Sequence, residues 1–291
     1  METDLAAVPV QYVESGSTRI AYRSVGQGAP VLLIMGLGAD GTAWQLHVQD
    51  FAKHFRCIMP DNRGAGGSDA PVGPYSTAQM ADDCAAVLLA ASDRPADVVG
   101  ISMGGTIAQE LALNHPSLVS RLVLVSSWCR CDPFLADMFH HLRSAQAALM
   151  PDEFAKLLQL RIWSPLYYSA HAEELRDARR ETKTAMSPAA FAAQCAACVS
   201  HDALARLEGV TAPTLITAGN SDSFTVLDRA LEVHEAIRGS QLEVLPGGHA
   251  HHWEGLKEFN DLTISWLAAQ GQSATAGPGS DPEPVADREV Q

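Results

Sequence analysis

The sequence has 291 residues, 47% of them hydrophobic, and a formal charge of −14. The length suits one large domain, or one domain with an insertion, and the apolar fraction is ample for a core. An acidic balance argues against nucleic acid, whose binding needs a basic surface. No run is long and apolar enough to span a bilayer, and METDLAAVPV lacks the basic start of a signal peptide. A cytoplasmic protein acting on a small molecule is therefore expected, with no nucleic-acid or membrane partner and with a homodimer left open. Six cysteines without an export signal read as reduced thiols.

Taken in order, Val10–Glu14 and Thr18–Val25 predict a hairpin across Ser15-Gly16-Ser17. Pro30–Met35 is a continuous apolar run, as expected of a strand buried on both faces of a mainly parallel sheet. It breaks at Gly36-Leu37-Gly38, and helical spacing follows from about Thr42 to Phe55. Arg56–Pro60 predicts a strand leading into the loop DNRGAGGS, and Ser76-Thr77 can cap a helix that runs to about Ala91.

The next stretch, ADVVGISMGGTIAQ from Ala96 to Gln109, passes from an apolar run through Gly100-Ile101-Ser102-Met103-Gly104-Gly105 into a helix-compatible segment. This is G-x-S-x-G in a strand–turn–helix setting. A serine on so sharp a turn is strained, and side chains two residues either side would collide with neighbouring backbone, so Gly100 and Gly104 are needed. A free serine hydroxyl is a poor nucleophile, so a histidine and an acid are also required.

After RLVLVS (Arg121–Ser126) the strand–helix alternation lapses, and 128–210 reads as helical, with punctuation at Pro133, Pro151, Pro165 and Pro188. Alternation resumes with strand Ala212–Ala218, a helix around Val226–Ile237, strand Gln241–Leu245 and a helix from about Trp253 to Ala269. The last twenty residues hold four acids, one arginine and no aromatic residue, and read as a disordered tail over 272–291. A four-thiolate zinc site across Cys129-x-Cys131 and Cys195-x-x-Cys198 would not have the spacings of the common zinc ribbons; Cys195 and Cys198 lie in an alanine-rich helical pattern, where cysteine acts as a small hydrophobe. No metal or cofactor is expected.

GISMGG after a strand, DNRGAGGS before it, the insertion after RLVLVSS, then PTLITAGNSD and LPGGHAHHWE resemble the α/β-hydrolase fold family. The resemblance runs from about residue 10 to residue 270 and is nearest to small esterases and lactone hydrolases, of enol-lactonase or carboxylesterase type. It implies an eight-stranded, mainly parallel sheet flanked by helices, built from 1–127 and 211–271, with a helical cap at 128–210 after the sixth strand.

Eleven histidines compete for the role of base. His249 ends the last strand in a glycine-bearing loop, with His251 and His252 as rivals. The resemblance selects His249, from the family's Gly-His pair and a glutamate five residues on, here Glu254. It places the acid at Asp222, in Gly219-Asn220-Ser221-Asp222, although the proline often found four residues later is absent. Asp132 is the fallback acid, with a helix N-cap as its ordinary role. The oxyanion donors are expected at the Met103 and Leu37 amides. Asp61 reads as a brace for its loop. Trp128, Phe134, Met138, Trp163 and Tyr167 are expected to offer a substrate an apolar surface.

The expected activity is hydrolysis of an ester or lactone of a mid-sized hydrophobic substrate, through a Ser-His-Asp triad and an acyl-enzyme. Cleavage of a carbon–carbon bond, an amide or a carbamate on the same triad is the alternative. A non-catalytic ligand-binding protein with this fold is the alternative of a different class.

Overall fold

The computed structural model describes residues 3–181 and 186–272, so most of the expected tail lies outside the described residues. Eight strands form one sheet: β1 (Gln11–Ser15), β2 (Thr18–Val25), β3 (Ala29–Ile34), β4 (Phe55–Pro60), β5 (Ala96–Ile101), β6 (Val119–Val125), β7 (Thr214–Gly219) and β8 (Gln241–Leu245). Their order across the sheet is β1-β2-β4-β3-β5-β6-β7-β8. Pairings β1–β2 and β2–β4 are antiparallel. The remaining pairings, from β4–β3 to β7–β8, are parallel.

Helices α1 (Gln45–Phe51), α2 (Thr77–Ala91) and α3 (Met103–Asn114) connect the first six strands. Between β6 and β7 the described residues form α4 (Pro133–Ala148), α5 (Pro151–Ile162), α6 (Pro165–Ala170), α7 (Ala172–Glu181), α8 (Pro188–Ser200) and a short 3-10 turn at Leu204–Gly209, with no strand among them. The chain closes with α9 (Leu227–Ala236), α10 (His251–Glu254) and α11 (Leu256–Gln272). Four helices of the insertion start with proline at the first or second position, where its missing N–H costs nothing.

The continuous apolar strands follow from burial on two faces. Along β3, Leu32 and Ile34 pack into one core cluster, whereas Val31 and Leu33 join the other. Val98 and Val99 of β5, and Leu122 and Val123 of β6, divide in the same way. Side chains alternate along a strand, so a sheet covered on both faces needs apolar residues at every position. One cluster holds residues of α2 and α3, the other those of α1 and α11.

Strand order reverses between β3 and β5, and at such a switch point the loops leaving the carboxyl ends of adjacent strands diverge and open a crevice. The expected site residues lie on these loops: Leu37 after β3, Ser102 after β5, Asp222 after β7 and His249 after β8.

Candidate active site

Ser102 joins β5 to α3 with φ 55° and ψ −117°, a backbone conformation that costs a residue with a side chain about 1–3 kcal/mol. Its hydroxyl does not cap α3, although serine is a favoured cap. The turn is this tight because its glycines leave no gap. A Cβ on Gly104 would stand 2.2 Å from the Ile34 carbonyl oxygen, and one on Gly100 would stand 2.3 Å from the Gly104 oxygen. The Ser102 amide donates to the Val125 carbonyl at 2.8 Å, and Ser127 Oγ donates to the Ser102 carbonyl at 3.1 Å, fastening the turn to the end of β6.

His249 Nδ1 lies 2.9 Å from Asp222 Oδ2, and both side chains are buried. Asp222 is held by its own loop. Its Oδ1 accepts the Phe224 and Thr225 amides at 2.8 and 2.9 Å, and Thr225 Oγ1 lies 2.8 Å from Oδ2. Burial pushes the Asp222 carboxyl upward. The facing His249 and the hydrogen bonds from His249, Thr225 and the Phe224 amide outweigh it, leaving the group below its ordinary range. With Asp222 fixed as the acceptor, His249 carries its proton on Nδ1 and leaves Nε2 free to accept one.

The loop bearing His249 is tied to the insertion. Glu254 accepts the Gly248 amide at 2.9 Å, the Ser164 amide at 2.7 Å and the Ser164 hydroxyl at 2.6 Å. The Ala250 amide donates to the Ile162 carbonyl at 2.8 Å. Glu254 thus positions the histidine loop and the α5–α6 corner together.

The turn after β3 runs against the serine: a Cβ on Gly36 would stand 3.3 Å from Ser102 Cβ. Asn62 Nδ2 pins this turn through the Met35 carbonyl at 2.8 Å, and Gln194 of α8 accepts the Gly38 amide at 3.0 Å. Gln194 also donates to the Arg63 carbonyl at 3.0 Å, so one buried amide joins the insertion to two core loops. Neither the Leu37 nor the Met103 amide donates to an acceptor among the described residues.

Asp61 is fully buried and accepts the Gly41 and Gly67 amides, each at 2.8 Å, beside Arg23. Arg63 makes a bidentate pair with Asp83 at 2.6 and 2.7 Å. Both side chains are consumed in bracing loops. Asp132 accepts the Leu135 amide at 2.8 Å as the N-cap of α4. No cluster of three or more His, Cys, Asp or Glu suited to a metal ion occurs among the described residues.

A cavity of about 160 Å³ lies beside Ser102 and His249. Leu142, Leu158 and Ile162 of the insertion close it, and Phe224, His252 and Trp253 form much of its remaining wall. None of the five side chains expected to contact substrate is among its lining residues. Trp128 is wholly buried, and a row of rings runs from it through Phe139 and Phe224 to His249, with centroids 5.4, 5.7 and 4.9 Å apart. Met138 packs in the core, and Phe134 is 54% exposed. Trp163 stacks on Tyr167 at 4.7 Å, and Tyr167 borders a separate cleft. A small helical insertion needs its large side chains for its own packing, and composition alone does not separate that use from a substrate surface.

Sequence reasoning missed the roles of Thr225, Gln194, Asn62 and His252. Gln194, Asn62 and His252 act through neighbours distant in the chain, whereas Thr225 stands three residues after the acid it bonds.

The sequence pattern of the α/β-hydrolase fold matches residues 29–256. A protein of Azorhizobium caulinodans, provisionally named carbamate hydrolase RutD, is 27% identical over 263 residues, covering 88% of this chain and 97% of that protein. The crystal structure of a hydrolase from Pseudomonas aeruginosa PA01 is similar with a TM-score of 0.81 and 28% identity, over 90% of this chain and 99% of that one. Est816, described as an N-acyl homoserine lactone degrading enzyme, is similar with a TM-score of 0.75 and 29% identity, over 88% and 99% of the two chains. The matched span runs from β3 through α10 and takes in all four loops of the site; the protein is a hydrolase and belongs to the α/β-hydrolase fold family.

Proposed function

We propose that the chain is a serine hydrolase of esters or lactones with a compact apolar group, acting through Ser102, His249 and Asp222. The observation that carries this reading is the hydrogen-bonded Asp222–His249 pair, at 2.9 Å, whose imidazole lines the same cavity as the strained Ser102. His249 Nε2 takes the Ser102 proton as Oγ attacks the substrate carbonyl carbon. The carbonyl oxygen becomes an anion facing the Leu37 and Met103 amides, which have no other acceptor among the described residues. Collapse of the tetrahedral intermediate breaks the bond to the leaving oxygen, which takes the proton from His249. Water then attacks the acyl-enzyme by the reverse route, returning Ser102 and releasing the acid. Asp222 stays ionised and stabilises the imidazolium in both halves.

The cavity narrows the substrate class. A dry apolar cavity of about 150 Å³ holds a benzene molecule, and the volume beside Ser102 is about 160 Å³. A phenyl-sized or short branched group fits, whereas a long acyl chain must leave through the mouth.

Carbamate cleavage is the second reading, favoured by the provisional name of the Azorhizobium relative, of which this chain covers 97%. The same serine, base and amides serve it. Hydrolysis of p-nitrophenyl acetate and of a p-nitrophenyl carbamate by wild type and Ser102→Ala tests the proposal. Loss of both activities in Ser102→Ala is expected; equal rates in the two proteins would refute it and favour a ligand-binding role.

A further inference from the structure

His252 lies three residues after His249, is 1% exposed and lines the cavity beside Ser102. Its Nδ1 is 3.0 Å from His47 Nε2, and no described residue partners its Nε2. Which of its nitrogens carries the proton is decided at the surface, on α1. The Asp50 carboxylate accepts Lys53 Nζ at 2.7 Å and Asn260 Nδ2 at 3.0 Å. Those two hydrogen bonds hold Asp50 below the ordinary carboxylate range, so it only accepts. Asn260 must turn its NH₂ toward that carboxylate, which leaves its carbonyl Oδ1 facing His47 Nδ1 at 2.7 Å. His47 therefore carries its proton on Nδ1. Burial drives its pKa down to about 4, so its Nε2 is bare. A bare nitrogen at 3.0 Å requires the proton of His252 on Nδ1. The lone pair of His252 Nε2 is then left for the cavity.

We infer that His252 Nε2 is a specificity-determining acceptor, selecting esters or carbamates whose cavity-bound group carries an O–H or N–H donor. The inference rests on the reading of Ser102 as nucleophile. Apart from Ser102, His249 and the Trp253 indole, the other side chains lining the cavity are apolar, so beyond the reacting pair His252 is the side chain there with a strong acceptor. A ligand without a donor leaves this acceptor dehydrated and unpaired, and sites of that kind discriminate more sharply than apolar fit does. His252 is itself held neutral by burial, well below the ordinary histidine range, so it does not recruit an anion.

The test compares p-nitrophenyl hydroxyacetate with p-nitrophenyl propanoate, and the 3-hydroxypropanoate with the butanoate, each divided by its uncatalysed rate. Wild type should favour the donor-bearing member of at least one pair about tenfold in kcat/KM. The ratio should fall to near one in His252→Phe, and His252→Gln, which keeps an amide oxygen, should recover part of it. Nitrogen-15 NMR of wild type, which needs no variant to fold, should show His252 protonated on Nδ1 and bare on Nε2. Equal handling of both pairs, or a proton on Nε2, would overturn the inference. If none of the four esters is hydrolysed, the reading of Ser102 falls with it; equal hydrolysis of all four refutes only the role of His252.

Discussion

Replacing Thr225 by valine removes one hydroxyl and keeps the shape of the side chain. That hydroxyl lies 2.8 Å from Asp222 Oδ2, 3.0 Å from His249 Nδ1 and 3.1 Å from the Ser126 carbonyl. Its one proton can go to only one of the two acceptors, the Asp222 carboxylate or the Ser126 carbonyl, and the charged, nearer carboxylate takes it, while a lone pair faces His249 Nδ1. The Thr225 amide, which donates to Asp222 Oδ1 at 2.9 Å, survives the change. A hydrogen bond to a charged group contributes about 1.5–3 kcal/mol. Because two amides and His249 still hold the carboxylate, a loss of about 2 kcal/mol is the reasonable figure, roughly 30-fold in rate. The imidazolium that Asp222 steadies forms only during reaction, so the loss should appear in kcat with KM unchanged. Steady-state hydrolysis of p-nitrophenyl acetate measures both, and Thr225→Ser should restore most of the rate. A kcat within twofold of wild type, or a serine variant as slow as valine, would show that Thr225 does not position the pair.

Ser102→Gly should be more stable than Ser102→Ala by about 1 kcal/mol in urea denaturation, because glycine tolerates φ 55°; equal midpoints would mean the turn is unstrained. Stability should also fall with acid. Burial lowers His47, His201 and His251 to about 4, so these rings stay neutral when folded while the unfolded chain takes up protons near pH 6.5. Their contribution is complete above pH 6.5 and is lost as pH falls toward 4, at about 1.4 kcal/mol per pH unit for each group. Denaturation curves at pH 7.5, 6 and 5 check this, and a flat profile would contradict it. Leu158→Ala opens the cavity wall contributed by α5, and should raise the hexanoate-to-acetate ratio of kcat/KM at least fivefold, a ratio that stays constant if the wall lies elsewhere.

The fold was legible because its signals are local. Runs such as Val31–Ile34 and Leu122–Val125 are apolar at every position, as two-faced burial demands. The turn at Gly100–Gly104 declared itself because only glycine clears backbone atoms 2.2–2.3 Å from a would-be Cβ. Pairing Ser102 with Asp222 and His249 needed more than spacing, since His251 and His252 stand in the same loop. The structure separates them: His249 faces the acid at 2.9 Å, His251 bonds Ser126 and Thr217, and His252 turns to His47.

What the sequence by itself determined is the sheet, its two-sided core and the strained serine, each dictated by residues adjacent in the chain. What only tertiary structure decided is which side chains meet. The cavity wall comes from Leu142, Leu158 and Ile162 rather than from the aromatic residues of the insertion, because helix packing and not composition chooses the inward face. Likewise the hydrogen-bond chain from Asp50 through Asn260 and His47 to His252 joins positions up to 213 residues apart. No periodicity encodes such contacts, since they arise where α1, α10 and α11 pack together. Ser102 was therefore visible in its own stretch of sequence, while the groups that line the cavity beside it became visible only once the chain had folded around it.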